Sequence, residues 1–249
     1  MLQKDALRIF AAVGPEDRLS APLKSARMLY HFSQPFPAPE PAPGGIMVLA
    51  GDVRAARSHE IAAECRRCGY SGILCGYGTA STLELLRLCQ ALERRGLRVY
   101  LQEQAWRPDC HATVLISGAV SGGSLRQRIL EAQRRYGSVA LDPERICRRF
   151  PLPCPDGEGT ALQPGELEAL MQRGSRPFFS EELQCMAFHV TEGSSTSFVL
   201  YDTPDTLRSK VRLARSMGVG SFFLLYPEWP EADILALQED MQECENPVI

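Results

Sequence analysis

The chain has 249 residues, 45% of them hydrophobic and 23% charged, with a formal net charge of −3. This is the composition of a globular domain, and it excludes the basic balance expected of a protein that binds nucleic acid or an anionic membrane. No apolar run reaches the roughly 18 residues of a membrane span. The opening MLQKDALRIF lacks the apolar core of a signal peptide, so a cytoplasmic location is expected.

Taken in order, Leu7 to Val13 is a short apolar run stopped by Gly14-Pro15, and it predicts a first strand. Ala26 to Ser33 predicts a second. The proline-rich stretch Pro35 to Gly45 predicts a surface loop, because proline donates no backbone hydrogen bond. Gly45 to Asp52 predicts a third strand, almost wholly apolar, as strands buried on both faces are. Ser58 is placed to cap a helix through Arg67. Gly72 to Tyr77 predicts strand four, inside the run CGYSGILCGYG. Thr82 to Arg95 predicts an amphipathic helix, with Leu85, Leu88, Cys89 and Leu92 on one stripe and Gly96 as its stop.

Leu97 to Glu103 and Ala112 to Gly118 predict strands five and six. Leu125 to Tyr136 predicts a helix, and Ser138 to Asp142 strand seven. The cadence then breaks at Pro151, Pro153 and Pro155. A short helix near Glu166 to Gln172 follows, then two alternating runs, Cys185 to Val190 and Ser197 to Tyr201, which predict an antiparallel hairpin across Glu192-Gly193-Ser194-Ser195. Thr203-Pro204-Asp205 starts a helix ending near Gly218, and Ser221 to Tyr226 is the eighth strand.

Strands alternating with helices imply parallel crossovers, and eight of them favour a (β/α)8 TIM barrel over a doubly wound open sheet. One domain over residues 1–249, with an insertion at 148–202, is expected. The nine cysteines, at 65, 68, 75, 89, 110, 147, 154, 185 and 244, are scattered in apolar or helical patterns, which suits reduced thiols. Cys65-Arg66-Arg67-Cys68 has no second pair to complete a zinc site, so neither metal nor cofactor is expected.

Two stretches resemble the glycoside hydrolase family 18 barrels, in particular the branch acting on spore-cortex peptidoglycan. GYSGILCGYG, followed by a helix and LRVYLQEQ, is similar to the family's fourth strand, G-F-D-G-I-D-I-D-W-E. FVLYDTPDTLRSKVRLARSMGVGSFFLLY is similar to its closing hairpin, its F/Y-D-D-x-x-S-x-x-x-K helix and its eighth strand. The resemblance implies a bacterial barrel acting on glycans. In that family the last glutamate protonates the leaving oxygen, and the aspartate two residues earlier orients the substrate's acetamido group. Here the matching positions are Leu74, Gly76 and Gly78, none of which carries a proton. Loss of a general acid alone costs about 10²- to 10⁴-fold in rate.

Three readings remain open. The first is a barrel without hydrolase activity that binds a glycan or peptidoglycan fragment, with Tyr77, Trp106, Tyr226, Trp229 and Asp52 near strand ends as ligand-binding residues. The second is a hydrolase whose acids have moved to Glu103, Asp142 and Glu144, at the C-terminal ends of strands, where barrel sites form. The third is a scaffold that binds a protein partner through the inserted hairpin. The glycine-rich loop Ser117 to Gly123 matches no phosphate-binding motif, and a tight turn accounts for it.

Overall fold

The structure, a computed structural model, describes residues 7–13, 27–32, 43–50, 57–77, 82–155, 157–163 and 165–245. They form two compact units. One comprises Met1–Ile116, Ala132–Asp142 and Gly218–Ile249, and the other Ser117–Glu131 and Pro143–Met217.

The first unit is built on parallel strands: β1 (Arg8–Val13), β2 (Arg27–Phe32), β3 (Ile46–Ala50), β4 (Gly72–Tyr77), β5 (Arg98–Gln102), β6 (Thr113–Ser117), β7 (Val139–Asp142) and the last strand of the chain, β13 (Ser221–Tyr226). They close into a barrel in the order β1-β13-β7-β6-β5-β4-β3-β2. The expected (β/α)8 architecture is therefore observed. The helices are α1 (Ser58–Cys68), α2 (Thr82–Glu93), α3 (Leu125–Tyr136) and, beyond the barrel's last strand, α6 (Glu231–Glu245), while β5 is followed by only a single 3-10 turn, Glu103–Ala105. Ser58, expected to cap α1, is instead its first residue. Arg57 takes the cap position and no side chain caps the helix. The sequence reading missed α6, although Ile234, Leu237 and Met241 recur at helical spacing and all three are buried.

Alternation along β4 separates two cores. Ile73 and Cys75 join α1 and α2 in a cluster with Met47, Ile61, Leu88, Leu92 and Leu101. Leu74 joins Phe10, Ile46, Val48, Tyr100, Ala140 and Phe223, a set supplied by six different strands and no helix. That second set is the barrel interior, a packed core as in other barrels of this kind. Its rings lie edge-on or tilted, with Phe10 and Phe223 centroids 4.9 Å apart and Tyr100 and Phe223 5.0 Å apart. The Tyr100 hydroxyl pairs with Ser221 Oγ at 3.0 Å, so the one polar tip among these rings is satisfied.

The cysteines follow the same layering. Cys65, Cys68, Cys75, Cys89 and Cys110 all sit in the cluster outside the barrel, and every described cysteine is a free thiol. Burial pushes Cys65 and Cys185 up to about 12 from an ordinary 9.0. A hydrogen bond with Cys89, then burial, holds Cys75 well above that value. Such thiols are not nucleophiles at neutral pH. Above pH 9 the unfolded chain loses these protons while the folded chain keeps them, so stability should fall as pH rises through the interval from about 9 to about 12. Urea midpoints measured across that range check the slope. Peptide mapping after treatment with a thiol reagent should find Cys65 and Cys185 modified only in denaturant, and modification of Cys65 in the folded chain at neutral pH would contradict the assignment.

The second unit is organised on a five-stranded antiparallel sheet. It contains β8 (Cys147–Leu152), β9 (Thr160–Ala161), β10 (Phe178–Ser180), β11 (Cys185–Glu192) and β12 (Ser195–Tyr201), in the order β10-β11-β12-β8-β9. The hairpin read from the sequence is β11-β12, with Val190 opposite Ser197 and Met186 opposite Tyr201. β8 was not expected, because Pro151 lies within it and Pro153 just beyond its end. Pro151 lies opposite Ser197 of β12, but β9 pairs only with Arg148 and Arg149, so the missing N–H at Pro151 costs no bond on that side. One sheet face carries Phe188, Val190, Val199 and Tyr201 with Leu170 of α4 (Glu166–Met171). The other carries Ile146, Phe150, Cys185, Ala187 and Leu200.

This unit also contains α5 (Pro204–Ser216), whose first turn is closed by a capping box between Thr203 and Thr206. Lys210 of α5 is 1% exposed and Asp202 is fully buried, their charged atoms 2.6 Å apart. The pair is completely dressed. Asp202 Oδ2 also accepts from the Ile146 amide at 2.8 Å, Oδ1 accepts from Thr206 Oγ1 at 2.8 Å, and Lys210 Nζ donates to the Glu144 carbonyl at 3.3 Å. Asp202, Thr206 and Lys210 stand in the sequence stretch that resembles the family's closing helix, and their bonds explain why those residue types occur there together.

Candidate functional site

β4 is the strand whose sequence resembles the acid-bearing strand of the family 18 barrels. It pairs with β3 in register at Val48–Leu74, but the next partners are Ala50 and Tyr77. Two steps along β3 thus face three along β4, a bulge that ends strict alternation after Leu74. Leu74 is fully buried in the aromatic interior. Gly76 has φ 116°, and a Cβ there would lie 3.0 Å from both Gln102 Cβ and Ala105 Cβ. The backbone at position 76 is one that side chains rarely adopt, and the space beside it is already filled. Gly78 lies outside the described residues.

Two of the relocated candidates, Glu103 and Glu144, are hydrogen-bonded to a neighbouring hydroxyl. Glu103, in the 3-10 turn after β5, accepts from the Tyr136 hydroxyl at 2.9 Å. Asp142 is half-buried at the end of β7. In the second unit, Glu144 Oε2 accepts from Ser117 Oγ at 2.8 Å, and the Ala119 amide donates to that same Oγ at 3.1 Å. Among the described residues, no three His, Cys, Asp or Glu side chains gather as a metal-binding group.

Of the expected ligand-binding residues, Tyr226 is half-buried at the end of β13. Trp106 is also half-buried, packed against the cluster outside the barrel with its ring edge-on to Tyr136 at 4.9 Å. Trp229, expected to present a ring face to a sugar, is corrected by the structure: it is 1% exposed, so its ring belongs to the core. Asp52 and the side chain of Tyr77 fall outside what is described. His59 and His111 are both exposed.

The second unit holds two cavities. Glu144, Arg145, Ile146, Arg148, Phe150, Ala119, Ser121 and Gly157 line a cavity of about 190 Å³. A second, of about 340 Å³, is lined mainly by apolar groups, among them Phe150, Leu152, Phe178, Leu183, Phe198 and Leu200. Ser121, Phe150 and Gly157 belong to both walls. Among these, Glu144 and the loop residues Ala119 and Ser121 stand in stretches that the sequence marks out. Phe150, Leu152, Phe178, Phe198 and Leu200 come together through pairing of β8, β10, β11 and β12, which no local pattern specifies.

The parallel eight-stranded barrel is a fold that comparison with solved structures finds again in several proteins. No family model and no curated protein matches the chain. The spore cortex-lytic enzyme SleL of Bacillus cereus superposes with a TM-score of 0.61 at 11% identity, over 95% of this chain and 75% of that one. A chitinase from Chromobacterium violaceum gives 0.56 at 14% identity, over 95% and 99%. A GH18 chitinase from Cycas revoluta, in complex with (GlcNAc)3, gives 0.58 at 13% identity, over 95% and 100%. The chain thus has a family 18-like barrel. Identities this low establish the fold alone.

Proposed function

We propose that this protein is a family 18-like barrel that binds a glycan without hydrolysing it. The observation that carries the reading is β4: Leu74 is enclosed in the aromatic interior, and Gly76 combines a left-handed φ with a filled Cβ position. A side-chain acid in the family's arrangement is absent at both positions, and general acid catalysis needs a proton donor within hydrogen-bond reach of the leaving oxygen. Glycan recognition does not need that acid. Ring faces and polar groups at strand ends suffice, and Tyr226, with Tyr77 and Asp52, would serve. A glycan ligand is supported by the likeness to the Cycas chitinase, a protein crystallised with (GlcNAc)3.

The test is calorimetric titration of the full chain with (GlcNAc)3, (GlcNAc)4 and muropeptide fragments, alongside mass spectrometry of long incubations. Binding with no cleavage product is expected. Turnover that a single carboxylate substitution abolishes would overturn the inactive reading, with Glu103, Asp142 and Glu144 the first residues to change. Absence of binding to all of these ligands would overturn the glycan reading.

A further inference from the structure

We propose that β10 is a dimerisation edge, at which a second copy of this chain extends the five-stranded sheet across a two-fold axis. β10 is the first strand in the order β10-β11-β12-β8-β9, so within the sheet it has a neighbour on one side only. Its two rings are adjacent and exposed, Phe178 by 49% and Phe179 by 40%, and alternation puts them on opposite faces of the sheet. A strand edge with exposed apolar side chains is a template for pairing with another chain. The edge also runs past the strand itself, because the Ser175 amide donates to the His189 carbonyl at 2.9 Å and holds the preceding residues beside β11.

Hydrogen bonding fixes the register. The Gln184 amide donates to the Ser180 carbonyl at 2.7 Å across the β10-β11 turn, so Ser180 is bonded on the β11 side and, one residue earlier, the Phe179 amide and carbonyl face the open side. Pro177 faces the same way but has no N–H. Phe179 is therefore the outward donor of the strand, and a second β10 pairs antiparallel with Phe179 opposite Phe179. The two residues then exchange N–H and carbonyl bonds, and their rings meet as a cross-strand aromatic pair. Charge selects the partner. Arg176 precedes β10 and Glu181 and Glu182 follow it; all three are exposed, and none has an ion-pair partner among the described residues. Pairing about Phe179 carries Arg176 of each copy to the acidic end of the other, and two-fold symmetry makes that match twice. A second copy of this chain thus has the strand, the ring and the order of charges that the edge requires.

Sedimentation velocity of the full chain over a dilution series should show a reversible monomer–dimer equilibrium, weakened by salt. Phe179→Lys, at an exposed ring, should leave the circular dichroism spectrum unchanged and raise the dissociation constant about tenfold or more. R176E alone and E181R/E182R alone should each weaken self-association by about tenfold, because symmetry removes every pair twice and sets like charges together. An equimolar mixture of those two variants should regain the dimer, since each then offers the other opposite charges at both ends of the edge. A chain that is monomeric at every concentration, a dimer that Phe179→Lys leaves intact, or a mixture no more associated than R176E alone would each overturn the proposal.

Discussion

Lys210→Met is expected to destabilise the second unit by about 3–5 kcal/mol, the usual cost of breaking a buried ion pair by removing one partner. Lys210 and Asp202 are 1% and 0% exposed, so no water is at hand to solvate the carboxylate once the ammonium has gone. Asp202 would retain the Ile146 amide and the Thr206 hydroxyl, but two neutral donors do not offset a buried charge. Both of those donors sit at junctions: Ile146 precedes β8, and Thr206 lies in the first turn of α5. Loss of the pair should therefore loosen the start of β8 and of α5 together. Urea denaturation followed by circular dichroism measures the loss, and hydrogen exchange locates it. A K210M protein within about 1 kcal/mol of the parent would show that the pair contributes little. Removing both partners, as in D202N/K210M, should cost less than the sum of the single changes, because the two residues are directly bonded.

Putting an acid back on β4 is expected to fail structurally before it can act chemically. Gly76→Ala should cost about 1–3 kcal/mol through the left-handed backbone alone. Gly76→Asp should cost at least as much, since its Cβ meets Gln102 and Ala105 at 3.0 Å. Leu74→Asp is the more severe change, because it places a carboxylate among the buried rings of Phe10, Tyr100 and Phe223. Neither variant should release product from chitin oligomers. Melting temperatures and product assays on the same preparations check both statements. A G76D protein as stable as the parent would mean that the bulge relaxes to admit a side chain.

Much of the barrel was legible because its signals are local. Gly72 to Tyr77, Leu125 to Tyr136 and Ser221 to Tyr226 have the bounds that their apolar patterns predicted. The stripe of Leu88, Cys89 and Leu92 does face the core. Patterns of this kind are written within one element, where period and end signals are covalently fixed. β8 was lost for the opposite reason: Pro151 within it and Pro153 after it argue locally against a strand, and its pairing with β12 makes one possible.

The candidate site divides along the same line. The amino-acid sequence by itself determined that Leu74, Gly76 and Gly78 stand where the resembling family has acids, which is a matter of residue identity. Only the tertiary structure decided that β4 carries an extra residue against β3, because register belongs to the pairing of two strands and to neither alone. Likewise, Trp229 beside proline and glutamate read as a surface ring, and the folded chain leaves it only 1% exposed. In the same way, Phe150 of β8, Phe178 of β10 and Phe198 of β12 are far apart in the chain and line one cavity only because their strands lie in one sheet.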